Sequence, residues 1–97
     1  MPAYWIAHGN IFKPDRYGKY AEQVPEILAK YGGTVLARGG EHKTLEGPDE
    51  FARHVVIEFP SLERAEACFN SDEYQGAAAH RRADGAGEVR IVIVDGM

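Results

Sequence analysis

Four short apolar runs, Tyr4 to Ala7, Thr34 to Ala37, His54 to Phe59 and Arg90 to Val94, stand apart from two long helical patterns in this chain. They predict the order strand, helix, strand, strand, helix, strand. In three of the four runs both side-chain parities are largely apolar, so both faces of the resulting sheet require cover. Two helices shield only one face. The other predicts a partner surface, and a second copy of the chain is the simplest occupant. At 97 residues the chain predicts one domain with a modest core, which gains stability from dimerising.

The first helix opens at Pro14-Asp15, with Asp15 as the expected cap. Tyr17, Tyr20, Val24, Ile27 or Leu28, and Tyr31 then recur at three- and four-residue steps, which puts them on one stripe facing the sheet. Pro25 inside that pattern lacks an amide donor and predicts a kink or break. Gly32-Gly33 predicts the stop. Gly39-Gly40 admits a bulge or sharp bend before an irregular connection from 41 to 53. Ser61 and Ser71 are two N-cap signals, so the second helix is expected as two segments. This order is the split βαβ pattern (βαββαβ) of an α+β, ferredoxin-like fold, a four-stranded antiparallel sheet with both helices on one face and the first and third strands central.

Parity then separates the faces. Val55, Ile57 and Phe59 with Ile91 and Ile93 form an apolar set suited to the helix-covered core. The opposite parity carries His54, Val56 and Glu58, then Arg90, Val92 and Val94, and is expected to include Ile6 with His8 and Leu36 with Arg38. That mixed face supplies the one constellation able to carry chemistry: His8, Arg38, His54 and Glu58, with Arg90 near its edge. Arg38 and Glu58 lie on strands joined by the hairpin, so one reading pairs them in a salt bridge that sets dimer register in a noncatalytic assembly. The other reading has arginine anchoring a carboxylate or enolate oxygen while a histidine transfers protons near neutrality. Tyr17, Tyr20, Tyr31 and Tyr74 fill space between helices and sheet, where their hydroxyls suit a polar-headed ligand.

Several classes are disfavoured. A net charge of -4 with scattered basic residues gives no stripe to follow a phosphate backbone, so no nucleic-acid partner is expected. No apolar run approaches the roughly 20 residues that span a bilayer, and no leader pattern opens the chain, which predicts a soluble cytoplasmic protein. Cys68, the single cysteine, reads as a buried filler and permits no cysteine cage. The four histidines show no metal-ligand spacing, and no metal or other cofactor is expected. His42 reads as solvated; His80, beside Arg81-Arg82, suits the negative end of a helix.

The motifs Asp15 with Tyr17 and Tyr20, Pro25, Lys30-Tyr31-Gly32-Gly33, Ala37-Arg38-Gly39-Gly40-Glu41, Leu45-Glu46-Gly47, Val55 to Ser61, Ser71-Asp72-Glu73-Tyr74 and Arg81-Arg82 resemble, in that order and spacing, the domain of unknown function family 1330. The resemblance runs nearly end to end. It implies a dimeric α/β barrel, a homodimer whose sheets pack face to face, and it brings no activity. It directs attention to Arg38, Glu58, Tyr31 and Tyr74; His8 and His54 fall outside its motifs. The expected function is binding or transforming a small organic molecule in a cleft near Arg38, against the alternative of a structural dimer.

Overall fold

The computed structural model describes residues 1–39 and 41–97. Strand β1 spans Ala3–Ile11, helix α1 Pro14–Lys30, β2 Thr34–Gly39, β3 Arg53–Phe59, α2 Leu62–Asn70, α3 Asp72–Arg82 and β4 Gly87–Asp95. A single 3-10 turn, Ala83–Gly85, precedes β4. The antiparallel sheet has the order β2-β3-β1-β4, which makes β1 and β3 central as the split βαβ pattern requires.

Local chemistry sets most boundaries. The helix α1 begins at Pro14, where proline's fixed φ and missing amide cost nothing. Lys13 occupies the cap position and makes no side-chain cap bond, so Asp15 is not the cap; its charge sits in the first turn instead. Pro25 does not break α1, which runs through it as one element; the lost hydrogen bond is tolerated because neighbouring turns and packing against α3 hold the helix. The helix ends in a pair of nested bonds, Gly33 N–H to the Leu28 carbonyl at 2.8 Å and Gly32 N–H to that of Ala29 at 3.0 Å. Gly32 has φ 84°, and a Cβ there would lie 2.9 Å from Pro60 Cγ, so only glycine fits. The second helical pattern is two helices, as its two serines imply: Ser61 Oγ accepts from Arg64 N–H and Ser71 Oγ from Tyr74 N–H, each at 3.1 Å.

Trp5, Ile57 and Phe59 meet Leu28, Ala65, Cys68, Tyr74 and Ala78 in the core. Trp5 and Phe59 stack at 5.8 Å and Tyr74 meets Trp5 edge-on at 5.2 Å. Aromatic side chains of this kind bury ~150–250 Å² each, worth about 4–6 kcal/mol gross apiece at ~25 cal/mol per Å². Helix α2 packs on β1, β3 and β4, whereas α1 leans mainly on α3. Side chains on α1, among them Tyr17, Tyr20 and Val24, face the gap this leaves above the sheet.

Candidate functional site

The gap beneath α1 is a cavity of about 100 Å³. Its floor is Trp5, Ala7, Val55 and Ile57, its roof Tyr17, Tyr20, Val24 and Leu28, and Tyr74 closes one side. Ala21, Pro25, Val35 and Arg38 line it and are all exposed, so its mouth opens between α1 and β2. Arg53 contributes a second guanidinium to the lining.

Arg38 reaches this cavity because of a register shift. Thr34 lies opposite Glu58 and Val35 opposite Ile57, but Ala37 then faces Val56 and Arg38 faces Val55. Leu36 is the extra residue, and a bulge of one residue transfers every later side chain to the other face. Arg38 therefore shares the helix-covered side with Val55, and the expected Arg38–Glu58 pair on the mixed face does not form. The bend foreseen at Gly39-Gly40 falls partly on Gly40, outside the described residues; the irregularity in the pairing is between Val35 and Ala37.

A polar cluster reaches the cavity through Tyr20 and Tyr74, with Arg81 behind them. Tyr20 and Tyr74 share a hydroxyl–hydroxyl bond of 2.9 Å, and Arg81 Nη2 donates to the Tyr74 oxygen at 3.4 Å. The Arg81 guanidinium also lies over the Tyr20 ring, 5.1 Å from its centre. Arg81 is only 4% exposed, its Nε has no partner among the described residues, and no described carboxylate lies within salt-bridge distance of it. Burial, reinforced by Tyr74, pushes the Tyr20 phenol well above its ordinary range. Tyr17 is raised too, mainly by burial, with Arg53 and Arg81 opposing.

The uncovered face holds the rest of the expected constellation. His8 and His54 are register partners on β1 and β3, and their Nδ1 atoms are 2.7 Å apart, so one donates and the other accepts. His42 is exposed as expected, yet the 41–52 connection folds back and places its ring 4.2 Å from that of His54, with Phe51 stacked near His8 at 6.1 Å. Burial, then the proximity of His42 and His8, lowers the pKa of His54. Arg90 lies opposite His8, beside Glu50 and over the Phe51 ring. Among the described residues no group of three or more His, Cys, Asp or Glu is arranged to hold a metal ion. Cys68 is fully buried, and burial pushes its thiol up to about 11.

The six expected residues thus divide. Arg38 and Tyr74 line the cavity; His8 borders it from β1 while its ring bonds His54, and His54 and Glu58 lie on the opposite face of the sheet. Tyr31 belongs to neither group, since its hydroxyl donates to Glu73, which also binds Lys30. Sequence reasoning missed Arg53 and the burial of Arg81, although both carried a signal. Arg53 has the parity of Val55 and Ile57, and Arg81 follows Tyr74, Ala77 and Ala78 at helical spacing on the buried face of α3.

This architecture, with its antiparallel sheet and helices on one face, is the ferredoxin-like fold. Residues 2–97 match the domain of unknown function family DUF1330, and the chain belongs to it. Solved structures share the fold at low identity. A protein of unknown function from Rhodopseudomonas palustris is 19% identical with a TM-score of 0.74, covering 99% of this chain and 82% of that one. A dimeric ferredoxin-like protein of unknown function from Jannaschia sp. is 12% identical with a TM-score of 0.67, over 95% and 98%. The cofactor-independent oxygenase SnoaB from Streptomyces nogalater is 9% identical with a TM-score of 0.64, over 99% and 93%. A comparison with curated proteins finds no match. Among the described residues no helix is long and apolar enough to cross a membrane.

Proposed function

We propose that the chain binds a small organic molecule in the cavity between α1 and the sheet, with Arg38 at the mouth drawing in an anionic or electron-rich oxygen. The observation that carries this reading is a mainly apolar void with a few polar groups in its lining: Arg38, Arg53 and His8 stand among aromatic and aliphatic side chains. An engineered apolar cavity of ~150 Å³ accepts benzene, so a smaller void of about 100 Å³ with an open mouth suits a small ring or a short chain. A fold shared with an oxygenase that works without a cofactor is compatible with catalysis in such a cavity, and at 9% identity it supports the scaffold alone.

The second element of the reading is a homodimer. Leu36, Val92 and Val94 are each about half exposed, and Val56, Ile6 and Val92 stand in one row across β3, β1 and β4 on the face without helices. A second copy packed there would shield this patch, and structures sharing the fold are described as dimeric. This face favours assembly as a role in its own right, although a register-setting Arg38–Glu58 pair is no longer part of it. Thermal-shift screening of small carboxylic acids and quinone-like aromatics separates the two roles. Ligand stabilisation that disappears in Arg38→Ala and survives in Glu58→Ala supports the cavity; stabilisation indifferent to Arg38 removes it.

A further inference from the structure

The Tyr20–Tyr74–Arg81 cluster leaves one proton unspent. Two tyrosine hydroxyls carry two protons, their mutual bond at 2.9 Å consumes one, and arginine only donates. Whichever tyrosine donates to the other, one O–H is left without a described protein acceptor, and both tyrosines line the cavity. Arg81 strengthens that donor: its buried guanidinium draws electron density from the Tyr74 oxygen, and each bond in such a chain polarises the next. Tyr20 remains neutral because burial raises its phenol, so the proton is retained across the physiological range.

We propose, resting on the cavity reading above, that the ligand is a single-ring or short-chain compound carrying an uncharged oxygen acceptor, a carbonyl above all, which takes the spare tyrosine proton at the inner end of the cavity. An occupant of the same shape without an acceptor leaves that donor unpaired inside an apolar wall, which costs affinity. An anionic group is served at the mouth by Arg38; deeper in, Tyr20 and Tyr74 select for the acceptor.

The test compares cyclopentanone with methylenecyclopentane, isosteres that differ only in the carbonyl oxygen, through dissociation constants from ligand titrations followed by NMR of the full chain. Cyclopentanone is expected to bind roughly tenfold more tightly, the value of one hydrogen bond. Because either tyrosine alone still has one free proton, Tyr20→Phe and Tyr74→Phe should each keep the preference, whereas the double variant should lose it. The double variant strands the Arg81 charge and risks unfolding, so Tyr20→Phe/Tyr74→Phe/Arg81→Met, which replaces the whole polar cluster by apolar groups, provides the same measurement in a core without an orphaned ion. Equal binding of both compounds to the parent, or a preference that persists in the triple variant, overturns the proposal while leaving the cavity in place. Failure of both compounds to bind removes the cavity reading itself.

Discussion

Replacing Val92 by glutamate tests the reasoning about the uncovered sheet face most directly. Val92 lies mid-strand in β4 opposite Ile6 and is 56% exposed in the protomer, so the substitution disturbs little of the protomer's own packing. Full burial of a valine is worth ~1.5–3 kcal/mol, and a little over half of that remains to be gained when a twin covers the face, about 1 kcal/mol per copy. A glutamate forfeits this and encloses a carboxylate with an effective penalty of several kcal/mol per ion. The two copies in a dimer together lose at least about 4 kcal/mol, which weakens association roughly a thousandfold. Sedimentation velocity across the micromolar range should show the parent as a dimer and Val92→Glu as a monomer, with circular dichroism unchanged. If the variant sediments as the parent does, this face is not the interface. A parent that is monomeric and cooperatively folded at those concentrations refutes the argument that the face needs cover at all.

Three other measurements follow from the structure. His54, with its pKa lowered below 6.5 by burial and then by His42 and His8, takes up a proton on unfolding; stability should be full above about pH 6.5 and fall as pH drops toward the depressed value. Denaturant midpoints at about pH 7.5 and about pH 5.5 should differ less in His54→Phe than in the parent, and an equal difference would show that this histidine does not titrate with folding. Ser71 caps α3 through the Tyr74 amide and donates to the Cys68 carbonyl at 2.7 Å, so Ser71→Ala should cost ~1–2 kcal/mol in denaturant unfolding; Ser71→Asp, which keeps the cap acceptor, should recover part of it. Cys68, buried and with its thiol raised to about 11, should resist a disulfide reagent at about pH 8 until denaturant is added, and fast labelling of the native chain would contradict the packing of α2 on the sheet.

What could be read from the residues was whatever depends on neighbours in sequence. The short apolar runs, the order of strands and helices, the serine caps at 61 and 71 and the glycine stop at 32 are set within a few residues of where they act, and each is found in place. The core face of Val55, Ile57, Phe59, Ile91 and Ile93 followed from parity alone, because β3 and β4 pair with β1 without a slip. The candidate site was legible only in its parts. Arg38 was recognised, yet its face depended on Leu36 bulging out of the ladder, an event settled by how β2 pairs with β3 and marked by no glycine or proline at the spot. His42 met His54 because the 41–52 connection folds back, and Arg81 became a core residue because α1 and α3 close over it while Tyr74 supplies its acceptor. Local sequence determined the elements and their buried sides through steric and hydrogen-bonding rules that act over one or two turns. Only the tertiary structure decided which polar groups share a cavity, since a single-residue slip between strands reverses every side chain beyond it.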